Sequence, residues 1–217
     1  MIIRSVKTKR TAAVVLMLSA LVWCRDKGFN PPPAAHAKTY VAHESHDDEK
    51  VTIAIDPFDT AEKAAIFSVK YRDYGFLPIR LIISNDGDRP LMLDGVKIEF
   101  VTYRRDKIRA ATRDDIFRRI ARPEKIGNRP KVNLPIPLPR DNKPIKAEAR
   151  EEVESAVFVS VPVTAHSSYN GFLFFDVAGI ERPEEDAHVY ISGIRAGNQE
   201  LFYFDIPLDK YLNPGTK

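Results

Sequence analysis

Cysteine and tryptophan each occur once in 217 residues, as the adjacent Trp23 and Cys24. The body beyond residue 37 therefore has no disulfide to form, and a cysteine-free body tolerates an oxidising compartment without mispairing. Recognisable catalytic signatures are missing too. The sequence holds no nucleophile elbow, no phosphate-loop or dinucleotide glycine pattern, and no paired-histidine metal helix. Catalytic, cofactor-binding and metal residues are accordingly assigned to none, and the chain reads as non-enzymatic. Long apolar runs are equally scarce. The run from Thr11 to Trp23 has 13 residues, and as a helix it reaches about 20 Å against a hydrocarbon core of about 30 Å.

That short run follows Arg4, Lys7, Lys9 and Arg10, an order that marks a signal peptide or membrane anchor over residues 1–37. Three endings stay open. Ala35-His36-Ala37 fits the small-x-small rule for cleavage; Leu21-Val22-Trp23-Cys24 has the form of a lipoprotein box, with Trp23 where a small residue is usual; or the leader is retained. The leader also sets the bulk charge. Six Lys/Arg oppose one acid in residues 1–37, leaving the remainder at −2, so the pI near 8.9 is no argument for nucleic-acid binding.

About 180 residues then suit one domain. Residues 38–50 are polar and without apolar period, and read as a flexible tether after Pro31-Pro32-Pro33. Residues 51–212 carry the domain, and 213–217 a tail. Seven strands are expected: Val51–Ile55, Leu77–Ser84, a kinked strand through Leu91–Leu93 and Val96–Thr102, Ala156–Val163, Phe172–Val177, Val189–Ile194 and Leu201–Ile206. The last two join through a hairpin at Arg195-Ala196-Gly197-Asn198. Asp59 with Glu62 has the form of a capping box for a short helix over Ala61–Phe67. This spacing favours an all-β, immunoglobulin-like β-sandwich over a parallel α/β sheet. Residues 103–154 read as an insertion, with a helix over Asp114–Ala121 followed by a proline-rich run from Pro130 to Pro139.

Function has to be sought in five features, each with a plainer reading beside it. From Arg104 to Arg150, 15 Lys/Arg oppose six acids, a local charge of +9; this is a docking face for an acidic partner or anionic surface, or a solvated loop. Only one aromatic, Phe117, lies among these charges, which disfavours nucleic acid. His43, Glu44, His46, Asp47, Asp48 and Glu49 offer divalent-metal ligands, though on an expected tether where ordering costs entropy. Asp86-Gly87-Asp88 resembles part of a calcium loop but suits a strand-to-strand turn better. Phe172–Phe175, Tyr190 and Phe202–Phe204 are sugar-stacking candidates or, by strand alternation, core. His166-Ser167-Ser168 is a polar turn, because sequence adjacency gives no nucleophile–base geometry.

Ala54–Lys63, Gly75–Ile79 running to Asn85–Asp88, Gly171–Asp176 and Glu200–Leu208 together resemble a group of uncharacterised exported bacterial proteins. The resemblance implies a bacterial envelope location, periplasmic or membrane-anchored, and a sandwich fold; it transfers no functional residue. The expected role is a protein-interaction or structural module without cofactor, using the basic insertion toward an envelope protein or anionic surface and the N-terminus for membrane attachment. The rival reading is a ligand-binding module for an envelope glycan or divalent metal.

Overall fold

The computed structural model describes residues 29–122 and 144–212. Its centre is β3, counted in an order that begins with β1 (His43–His46) and β2 (Val51–Pro57). After the short helix α1 (Ala61–Ala64), β3 runs from Phe76 to Asn85 with all ten residues buried. It pairs antiparallel with β2 and with the later strand β7 (Ser167–Asp176), giving a sheet of order β1-β2-β3-β7. A strand covered on both faces needs apolar residues at odd and even positions alike, so Phe76-Leu77-Pro78-Ile79 and Leu81-Ile82-Ile83 run without alternation.

Between β3 and β7 the chain forms β4 (Leu91–Met92), β5 (Lys97–Val101), β6 (Lys107–Arg109), α2 (Arg113–Ala121) and α3 (Ala147–Ala156). After β7 come β8 (His188–Ser192), β9 (Arg195–Ala196), β10 (Gln199–Glu200), β11 (Phe204–Pro207) and α4 (Asp209–Leu212). Strands β11-β8-β5-β6 make a second antiparallel sheet, and β10-β9-β4 a small third one. The inner residues of the two larger sheets share one apolar core. Ile53, Ile55, Leu77, Ile79, Leu81, Ile83 and Phe175 meet Phe100, Val189, Ile191, Phe204 and Ile206 there. A second cluster lies on the outer face of the first sheet, where Phe58, Tyr71, Phe76, Phe172 and Phe174 pack under Ile116 of α2 and Val153 and Ala156 of α3.

An all-β architecture of antiparallel sheets is thus present, with eleven strands among the described residues. Four expectations need correction. The kinked strand is two strands in different sheets, β4 and β5. Ala156–Val163 is not a strand: helix α3 reaches Ala156, and Val157 and Val163 make only isolated bridges. The run Ala147-Glu148-Ala149-Arg150-Glu151-Glu152 favours helix, and turning its Val153 and Ala156 inward finishes the outer cluster. Thr60, not Asp59, caps α1, because the Asp59 carboxylate accepts a hydrogen bond from Tyr211 at 2.8 Å. Lastly, the stretch 103–154 is no separate insertion: β6 belongs to the second sheet, and both helices close the outer cluster. The proline-rich run, residues 1–28 and the tail lie outside the described residues.

The expected tether is likewise structured. Ala37–Thr39 form a 3-10 turn, and β1 pairs with β2 from His43↔Ala54 to His46↔Val51. Its side chains are polar because an edge strand half-buries both faces; hydrogen bonds rather than burial hold it. Upstream of β1, residues 29–40 lie along the outer face of the first sheet. The Phe29 ring stacks on Phe67 at 5.6 Å and meets Phe172 edge-on at 5.9 Å. The Pro32 carbonyl accepts from the buried Arg80 guanidinium at 2.7 Å. Ala37 is fully buried against Ala54 and Ile82, and its N–H donates to Ser84 Oγ at 2.9 Å.

The two large sheets also meet at their edges. On one side Ala110 bridges to Phe175, and the Ala111 N–H donates to the Phe174 carbonyl at 2.7 Å. On the other side carboxylates take over from backbone. Glu44 Oε2 accepts from the Asp205 N–H at 2.6 Å and Glu49 Oε1 from the Phe202 N–H at 3.0 Å. The first occupies a donor that β11, as an edge strand, would otherwise present to another chain, and the second holds the chain just before it.

Candidate docking cleft

Helix α2 begins where Thr112 and Asp115 close a capping box. The Thr112 hydroxyl accepts from the Asp115 N–H, and the Asp115 carboxylate accepts from the Thr112 N–H at 3.2 Å. Hydrogen bonds from the Thr112 hydroxyl and then its N–H, with Arg118 nearby, hold the Asp115 carboxyl below the usual carboxylate range. The helix turns Ile116 into the outer cluster, and its 3.6-residue period leaves Arg118, Arg119 and Arg122 facing the extended run Arg109-Ala110-Ala111. That run is fixed by its bridge to β7.

Between the two lies a cavity of about 460 Å³ with a Phe76 wall, lined by Arg109, Arg118, Arg119 and Arg122 and by two carboxylates, Asp115 and Asp176. Arg119 is tied into the fold: it pairs with Asp176, donates to the Tyr74 carbonyl and lies 5.4 Å from the Phe76 ring centroid. Arg118 is 3.3 Å from Asp115 and mostly exposed, and Arg109 is exposed on β6. Four guanidinium groups and two carboxylates line this concave site, and Arg109 and Arg118 are exposed in it. Such a site recruits anions, and arginine's planar fork suits carboxylate or phosphate oxygens.

Other sequence candidates separate under the structure. Glu44, His46 and Glu49 do come together: His46 Nε2 lies 3.1 Å from Glu44 and Nδ1 3.0 Å from Glu49, with the ring stacked at 4.0 Å on Phe204. His43 instead meets the Tyr40 carbonyl at 2.6 Å, and Asp47 meets Lys38. Among the described residues no group of three or more His, Cys, Asp or Glu is arranged to hold a metal ion. The Asn85 side chain organises the 86–88 turn by accepting from the Gly87 N–H at 3.0 Å. Asp86 and Asp88 face His36 and His166 rather than one another. His166 therefore pairs with Asp88, while Ser167 donates to the Thr164 carbonyl and Ser168 bonds Ser84. Phe172 to Phe175 and Phe204 are core, yet Phe202 is 75 % and Tyr203 55 % exposed, contrary to a wholly buried reading of that strand.

Two members of the cleft escaped the sequence reading. Phe76 and Asp176 sit opposite each other at the paired ends of β3 and β7, and only the register makes them neighbours.

No protein-family model and no curated protein matches the chain. A crystal structure of a functionally unknown protein from Listeria monocytogenes EGD-e is similar at 14 % identity and a TM-score of 0.28. The match covers 64 % of this chain and 59 % of that one. At that level it carries neither fold nor function across.

Proposed function

We propose that this chain is an exported, non-enzymatic module of the bacterial cell envelope, an immunoglobulin-like β-sandwich that docks an acidic partner in the arginine cleft. The sandwich reading is supported by two four-stranded antiparallel sheets that bury a common core. The docking reading rests on one observation: four arginines, from β6, from α2 and from the residue that ends α2, line a single cavity, and Arg109 and Arg118 are exposed there.

The test leaves Arg119 and Arg122 untouched, because Arg119 is part of the fold, and neutralises the two exposed groups. R109Q/R118Q should weaken binding of labelled polyglutamate about thirtyfold at low salt, as expected for two lost charges near 1 kcal/mol each. Its urea midpoint should stay unchanged. Equal affinity for parent and variant would refute the docking role. A glycan-binding reading has one observation of its own, the exposed Phe202 and Tyr203 beside the acidic 44–49 segment, which line a second cavity of about 460 Å³. Calorimetry with cell-wall fragments tests it, and absence of heat removes it.

A further inference from the structure

The N-terminal segment fixes where the domain stands relative to anything its leader holds. From Phe29 onward the chain belongs to the body: Phe29 covers Phe172, Pro32 serves the buried Arg80, and Ala37 has no exposed surface. A cut after Ala37 would strip all three. Five residues, 24–28, separate Phe29 from the end of the apolar run at Trp23. Fully extended they span at most about 18 Å.

Phe29 and the cleft also share one face of the first sheet. Phe172 beneath Phe29 and Asp176 beneath Arg119 lie four residues apart on β7, about 13 Å at a strand's rise. An anchored leader, whether uncut or lipidated at Cys24, therefore keeps the cleft within about 30 Å of the bilayer surface.

We propose that the arginine cleft rests on the anionic lipid headgroups of the membrane that holds the leader. This deepens the docking reading above and rests on it. The magnitude favours a surface over a free ligand. The two exposed arginines, Arg109 and Arg118, at about 1 kcal/mol each near an anionic leaflet favour the docked state about thirtyfold. That is too little to capture a dissolved partner at low concentration, but it is ample once an attachment of a few residues makes the encounter intramolecular. Contact is needed, since screening at physiological salt leaves about 8 Å of reach.

The experiment inserts the full chain into vesicles of phosphatidylcholine alone or with phosphatidylglycerol added, and follows arginine modification by phenylglyoxal residue by residue. Arg109 and Arg118 should react at least about fivefold more slowly on the phosphatidylglycerol vesicles, and high salt should abolish the difference. Arg89, exposed beyond the far end of β3, is the internal control and should react equally on both. Equal rates at Arg109 and Arg118 on the two vesicles overturn the proposal, as does a native product whose first residue is Lys38. Polyglutamate added to the phosphatidylcholine sample separates the two readings. If it protects both arginines while phosphatidylglycerol does not, the acidic partner is a protein and only the membrane proposal falls. If neither protects, both fall.

Discussion

Removing residues 29–37 tests how far the N-terminal segment is part of the fold. The comparison is between a chain beginning at Phe29 and one beginning at Lys38, each unfolded in urea. The shorter chain loses the Pro32 carbonyl from the Arg80 guanidinium, a bond to a charged donor worth about 2 kcal/mol. Its loss matters because Arg80 is 3 % exposed and its remaining side-chain hydrogen bonds go to one acceptor, Asn170 Oδ1. The Ala37 N–H bond to Ser84 adds about 1 kcal/mol. Phe29 is half-buried between two rings, so its removal forfeits roughly half of a core phenylalanine truncation, about 2 kcal/mol. The total is near 5 kcal/mol, a large share of the stability of an ordinary domain. With a denaturant slope of about 2–3 kcal/mol per molar for this size, the urea midpoint should fall by about 2 M. A difference below about 1 kcal/mol would show that the segment lies on the sheet without holding it, and the reasoning from Phe29, Pro32 and Ala37 would fail.

Further outcomes follow from single sites. A Cβ at Gly171 would lie 2.7 Å from Phe158 Cα, so Gly171→Ala should lose about 2 kcal/mol or more in thermal unfolding; an unshifted midpoint would mean the 157–160 segment yields freely. His46→Ala removes the ring that lies within hydrogen-bond distance of both Glu44 and Glu49 and the stack on Phe204, and should cost about 1–2 kcal/mol. It should also speed hydrogen exchange at the Phe202 and Asp205 amides, and unchanged exchange there would contradict the seam. Burial holds the Glu184 carboxyl above its ordinary value of 4.5, with Arg72 3.6 Å away and Oε1 accepting no hydrogen bond. The folded state thus binds that proton more tightly than the unfolded chain, so the carboxylate weakens the fold increasingly as pH rises from the ordinary value through the raised one. Glu184→Gln should consequently be more stable than the parent at pH 7 and equal to it near pH 3; a loss at pH 7 would show that Arg72 outweighs burial.

Legibility followed from how local each signal is. β2, β3 and β8 were readable because β-branched and aliphatic runs end at turn residues, and α2 because its cap and apolar stripe lie within ten residues. The Gly197-Asn198 hairpin was readable for the same reason, and Gly197 adopts φ +64° there. β1 was not readable, since a strand of His43-Glu44-Ser45-His46 has no apolar period and exists because β2 offers it an edge. Leu91–Leu93 and Val96–Thr102 read as one strand, but nothing in their sequence says that a bend between them sends them to different sheets. The arginines of the cleft could be counted, while their convergence could not.

By itself the sequence settled what is covalent or short-range: one cysteine five residues before Phe29, a basic head before an apolar run of 13 residues, the turns, and a charge of +9 within 104–150. Tertiary structure decided which distant segments become neighbours. It set Phe29 on Phe172, Pro32 on Arg80 and Arg109 beside α2, and it closed the edge of β11 with carboxylates from the 44–49 segment. The physical reason is range. Backbone propensity and capping act within a few residues, whereas burial and hydrogen-bond satisfaction act between whatever groups the sheet registers bring into contact.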